Sequence, residues 1–214
     1  MDEEITIIDS NARNERIKNF FIDNKKSLIV GFSIFLVLII VYLSIVEVKE
    51  QNKIKLANHF NITKINFKTD EKQTTIDQLI GLIKKNDSTY SPLALYFLID
   101  NKLIDNQNEI NSLFDELINK TRLDYEIKNL IIYKKALLNS DFATESDLLQ
   151  ILNPIINSES IWKSHSLYLM AEYFYSKDQK QKSKEFFNQI LLLPNANIDI
   201  KFETEKRLNR DLGE

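Results

Sequence analysis

Apolar and polar positions divide this chain into two regimes. From Ser27 to Val46 the sequence reads SLIVGFSIFLVLIIVYLSIV, twenty residues without a charge, Pro, Asn or Gln. A helix rises ~1.5 Å per residue, so this run reaches ~30 Å, the hydrocarbon thickness of a bilayer. Downstream the apolar residues recur at i, i+3, i+4 and i+7, the period of an amphipathic helix. Ile76, Leu79, Ile80 and Ile83 form one stripe; Ile110, Leu113, Phe114, Leu117 and Ile118 another; Leu148, Leu149, Leu152, Ile155 and Ile156 a third; Phe186, Phe187, Ile190 and Leu191 a fourth. Between them lie segments apolar on more than one face. These are Leu93 to Ile99, Leu123 to Leu138 (with Ile127, Leu130, Ile131, Ala136 and Leu137), and Ile161 to Tyr175. Such coverage predicts burial between neighbouring helices.

The pattern predicts helices near 74–85, 91–103, 107–119, 122–139, 145–157, 159–176, 180–193 and 198–210, and a stem helix running on from Glu47 towards Phe67. The expected class is all-α: a single N-terminal transmembrane helix followed by a tetratricopeptide-like helical repeat domain. Its parts are an N-terminal segment 1–26, a span 27–46, a stem 47–69 and a domain 70–214. The apolar run is too long for the core of a cleavable signal peptide, and its exit, Ser44-Ile45-Val46-Glu47, lacks a small-x-small cleavage site. An uncleaved single span is therefore expected. Lys and Arg close to a span set its orientation. Arg13, Arg16, Lys18, Lys25 and Lys26 precede it, against Lys49, Lys53 and Lys55 after it. Lys25 and Lys26 abut the membrane and are the topology-determining pair. The expected arrangement is an N-terminus in the cytoplasm and the domain across the membrane.

Punctuation supports the helices. Only three glycines (31, 81, 213) and three prolines (92, 154, 194) occur, few for a strand-rich fold. Ser91-Pro92 suits an N-cap and first helical position, and Pro194 follows a helix end. Helix pairs starting near 91, 122 and 159 come close to the tetratricopeptide period of about 34 residues. The last pair matches best. Leu167, Met170, Ala171 and Phe174 supply large, large, small and aromatic positions on its first helix, and Ser183 and Phe187 the small and aromatic positions on its second. A small residue on each helix lets the backbones approach while aromatics fill the flanks. A generic helical bundle is the alternative architecture.

Composition narrows the function. The net charge is −3 with no long basic block, which argues against a nucleic-acid surface. There is no cysteine, so disulfides and thiolate metal sites are excluded. So few glycines leave no phosphate-cradling loop or dinucleotide fingerprint. His59 and His165 stand alone, without ligand spacing, and His165 falls on a packed helix. Asp100, Asp105 and Asp115 read as solvated charge. Glu203, Glu205, Lys206, Arg207 and Arg210 alternate in sign, as on an exposed terminal helix. The chain is rich in Ile, Lys and Asn. Asn and Lys therefore read as neutral surface fillers, and the sequons at Asn61, Asn86 and Asn119 as coincidence. Trp162, Tyr168, Tyr173 and Tyr175 either line a peptide groove or, with more weight, pack in the core. No nucleophile elbow is present. No catalytic role, cofactor, metal or small-molecule substrate is expected.

The arrangement resembles the ancillary SecYEG translocon subunit family, YfgM-like, in its alphaproteobacterial form. The likeness runs through Asn14-Glu-Arg-Ile-Lys-Asn-Phe-Phe21, Asn24-Lys-Lys26 and the span, then Tyr90-Ser-Pro-Leu-Ala-Leu95, Leu149-Gln-Ile-Leu-Asn-Pro-Ile-Ile156 and Ile161-Trp-Lys-Ser-His-Ser-Leu-Tyr-Leu-Met-Ala171. The chain departs from the family in its low alanine content and degenerate early repeats. The resemblance implies a bacterial inner-membrane protein with a periplasmic repeat domain, in contact with the secretion translocon and with periplasmic chaperones or exported chains. It transfers no catalytic residue. The expected function is a membrane-tethered protein-binding scaffold; the alternative is an envelope or cell-division assembly factor acting by self-association through span and stem.

Overall fold

A computed structural model describes residues 15–16, 18–67 and 72–213. Arg13, Asn14 and Ile17 of the lead-in, and the expected stem–domain boundary at 69–70, lie outside the described residues. The chain is all-helical. After a helical stretch over 18–23, the helices are α1 (Lys25–Asn66), α2 (Lys72–Ile83), α3 (Tyr90–Asp100), α4 (Gln107–Lys120), α5 (Tyr125–Asn139), α6 (Glu145–Ile156), α7 (Lys163–Ser176), α8 (Lys180–Leu192) and α9 (Ile198–Asp211). Contacts divide the chain into two compact units, Met1–Lys55 and Leu56–Glu214.

In the first unit α1 is long and apolar enough to cross a membrane, and the side chains of its hydrophobic window are all uncovered. Lys25 and Lys26 open the helix, are exposed and directly precede the apolar run.

The second unit begins with the last turns of α1. Phe60 and Thr63 are buried there. Phe60 stands edge-on to Phe97 at 6.4 Å, as does Phe67 at 5.5 Å, while Thr63 Oγ1 reaches Gln78 Oε1 at 3.0 Å. Sequence neighbours then pack in series, with further contact between α2 and α4, α5 and α7, and α7 and α9. That next-but-one contact is what stacked helix pairs produce. Three core clusters follow along the unit. One lies around Leu79, Leu95 and Phe114, one around Ile132, Leu148, Leu152 and Phe174, and one around Leu167, Phe187 and Ile190. The four predicted stripes all face these clusters.

Local chemistry sets the helix ends. Asn106 Oδ1 accepts the N–H groups of Asn108 and Glu109 at the start of α4. Thr144 and Asp147 form a capping box on α6, and Asn197 caps α9. Two turns close without glycine. Lys102 (φ 49°) and Asp178 (φ 57°) take left-handed backbone, and the N–H of the next residue reaches back to Leu98 O and Phe174 O, both at 2.9 Å. This is the Schellman closure, in which the six-to-one bond satisfies a carbonyl orphaned by the helix end.

Four expectations are corrected. Helix α3 starts at Tyr90, with Thr89 as its N-cap and no side-chain cap bond. Ser91 instead donates to Leu82 O at 2.8 Å, and Asp87 Oδ1 takes the N–H groups of Thr89 and Tyr90. Pro92 thus sits a turn-position deeper, still where no intrahelical donor is required. Second, α3 packs more extensively on α2 than on α4, so the pair expected to open at 91 opens at α2 instead. Third, α7 begins at Lys163, because Ser160 Oγ donates to Glu126 Oε2 at 2.7 Å and accepts the Trp162 N–H, holding 159–162 in a turn. Fourth, Ile127 and Leu137 are exposed, and Asn129 and Asn139 are buried in their stead. The helix α5 is rotated so that its amides face the neighbouring helices.

Candidate functional site

Helices α7 and α8 form the most extensive helix pair of the domain. Leu167, Met170, Ala171 and Phe174 on α7, and Ser183 and Phe187 on α8, are all fully buried. The Phe187 ring stands edge-on to Tyr168 at 5.4 Å, and Phe174 stacks on Phe186 at 5.3 Å. Ser183 Oγ has no hydrogen-bond partner. The residue is there for its size, not its hydroxyl. These six side chains build a core.

The four aromatics do not meet in one groove. Trp162 stacks on Tyr133 at 5.8 Å and donates its indole N–H to Glu126 O at 3.1 Å. Tyr173 is buried and donates to Ala143 O at 3.2 Å. Tyr168 packs on Phe187; burial, then the neighbouring Glu172, pushes its pKa up to about 12. Tyr175 lies beneath the Arg207 guanidinium at 4.4 Å. Arg207 itself is not on an exposed face. It holds both carboxylate oxygens of Glu172 at 2.6 Å and pairs with Asp211, fastening α9 to α7. The hydrogen bond from Arg210 lowers the Asp211 pKa to about 2.

His165 lies 5.1 Å from Trp162 and 5.9 Å from Tyr133, ring to ring. Burial lowers its pKa from 6.5, partly opposed by the Ile161 carbonyl. The folded state then binds this proton less readily than the unfolded chain. Stability is full above the unfolded value of 6.5 and falls as pH drops below it, towards the lowered folded value. Urea midpoints read by Trp162 fluorescence should decline between about pH 7.5 and about pH 5.5, and His165→Phe should remove much of that decline.

A concavity of the domain lies elsewhere. Helices α4 and α6 both pack on α5 without extensive contact with each other, leaving a groove of about 570 Å³ between them. Its α4 wall carries Gln107, Asn108, Asn111, Asp115 and Ile118, at helical spacing on one face. Its floor is Ile132, Lys135 and Asn139 of α5; Phe142 and Ala143 close one end, and Asp147, Gln150, Ile151 and Pro154 form the α6 wall. Asn139 is buried, and its amide is fully served. It exchanges bonds with Asn111 (2.7 and 2.9 Å), accepts from Gln107 at 3.1 Å and donates to Lys135 O at 2.7 Å. Lys135 Nζ meets Asp115 Oδ1 at 2.7 Å, so Asp115 is exposed, as expected, and carries a surface ion pair.

No family model, curated protein or solved structure matches the chain.

The groove's amides were passed over as fillers. The available signal was Gln107 and Asn111 one turn apart on the face flanking a stripe, with Asn139 following the apolar Ala136-Leu137-Leu138 at a helix end. Among the described residues no cluster of three or more His, Cys, Asp or Glu could hold a metal ion. The groove can offer hydrogen bonds and apolar contact. It presents no aligned nucleophile and base.

Proposed function

We propose that this chain is a membrane-tethered protein-binding scaffold: a single-pass inner-membrane protein, N-terminus cytoplasmic, whose periplasmic helical repeat domain serves as an accessory to the secretion translocon. One juxtaposition carries the reading. A helix of membrane length precedes a stacked helical domain that carries an open, amide-lined groove. Tethering raises the local concentration of that groove near membrane partners, so weak contacts suffice. The translocon, periplasmic chaperones and exported chains are the partners implied by the resemblance to the YfgM-like family. The domain catalyses nothing and uses no cofactor in this reading.

A second reading, self-association through the stem, is favoured by Ile62 and Ile65, which stand 56 % and 70 % exposed beyond the apolar run. Photo-crosslinking in intact membranes separates the two. A photo-reactive residue at Phe142 should yield adducts with secretion-channel subunits or exported chains, identified by mass spectrometry. Adducts only between copies of this chain, formed from a probe at Ile65 and absent at Phe142, would establish the assembly-factor reading instead. The whole α7–α8 pair is a poor deletion target, because both α6 and α9 pack on α7.

A further inference from the structure

We infer that the groove between α4 and α6 takes an extended polypeptide segment free of acidic residues and holds it by its main chain. The inference rests on the scaffold reading and specifies its partner.

The length fits. From Gln107 to Ile118 the α4 wall rises about 16 Å, the reach of about five residues of extended chain at ~3.3 Å each. The hydrogen-bonding groups fit as well. Pro154 lies inside α6 and has no N–H. The carbonyl four residues earlier, on Gln150, is thereby left without its helical donor, on the wall that both residues line. The Gln150 side chain is exposed and has no hydrogen bond among the described residues. A primary amide offers a donor and an acceptor together, the same pair that a peptide group presents. An α-helical partner has already spent its main-chain groups internally and could not use these. An extended segment has them free.

Charge selects the segment further. Lys135 is paired with Asp115, while Asp147 keeps its charge, because the Thr144 hydroxyl it accepts from at 2.7 Å in the capping box is neutral. An acidic residue laid in the groove would lose water, find no free cation on the wall and meet that carboxylate. At the end of the groove Phe142 is 78 % exposed, a ready contact for one apolar or aromatic side chain of the guest.

The test uses the full-length chain in lipid nanodiscs and two fluorescein-labelled peptides read by polarisation. One is acetyl-Ser-Leu-Phe-Thr-Ser-amide; the other is the same peptide N-methylated at alternate residues, which removes main-chain donors and keeps every side chain. The first should bind, and the second should bind about fivefold more weakly for each hydrogen bond lost. Pro154→Ala supplies the missing N–H to the Gln150 carbonyl. It should weaken the unmethylated peptide about fivefold while the urea midpoint holds or rises, so loss of folding cannot mimic the result. Phe142→Ser should weaken both peptides alike. Equal binding of the two peptides, unchanged affinity in Pro154→Ala, or no peptide binding by the wild-type chain would each overturn the inference. If the Phe142 crosslinks to translocon subunits persist in that event, the scaffold reading stands without it. If they too are missing, both fall.

Discussion

Replacing Phe187 with alanine is expected to cost the domain about 3–5 kcal/mol, the range for emptying a fully buried aromatic site. The ring is wholly inaccessible and makes an edge-on contact with Tyr168. Its loss would open a void between α7 and α8, the pair on which both α6 and α9 depend. Ser183 gives the control. Its hydroxyl has no partner, so Ser183→Ala should be neutral or mildly stabilising, while Ser183→Leu should cost about 1–3 kcal/mol by forcing the helices apart. Urea unfolding followed at Trp162 measures all three. A loss below about half a kcal/mol for both Phe187→Ala and Ser183→Leu, the size of surface effects, would show that this contact does not hold the pair.

Deleting 27–46 is expected to move the chain from the membrane fraction to the supernatant without shifting the urea midpoint of the domain. Fifteen of those twenty residues are Leu, Ile, Val or Phe. Their combined preference for the bilayer is on the order of 5 kcal/mol. None of the twenty is buried in the protein, so the folded domain loses no core with them. With the span intact, protease added to spheroplasts should digest the region after Glu47. Full protection there would reverse the proposed orientation, and a chain that stays with the membrane after deletion would move the anchor elsewhere.

The helices were legible because their signal is local. The stripe Ile110, Leu113, Phe114, Leu117 fixes a face, whereas the caps at Asn106 and Thr144 came from the structure. Pairing was less legible. Whether α3 lies on α2 or α4 depends on an Asp87–Ser91–Leu82 bond set that no periodicity encodes. Rotation of α5 was also hidden. A helix with apolar residues on every side can turn either Leu137 or Asn139 inward, and the partners that Asn111 and Gln107 offer Asn139 lie on another helix. The groove escaped for a related reason. Its amides are common residue types in an Asn-rich chain, and their meaning lies in Asn111 and Asn139 facing each other across two helices.

Lys102 and Asp178 turn the corners after α3 and α7 in left-handed backbone, and both are exposed. An L-residue gives up about 1–2 kcal/mol in that conformation, which glycine largely avoids. The fold tolerates this at two solvent-facing corners, so its stability does not depend on the best residue at every turn. The corners that ordinarily announce a helical repeat by their glycines are therefore free to drift. Such a chain can keep the stacking of its helices without glycine at these corners.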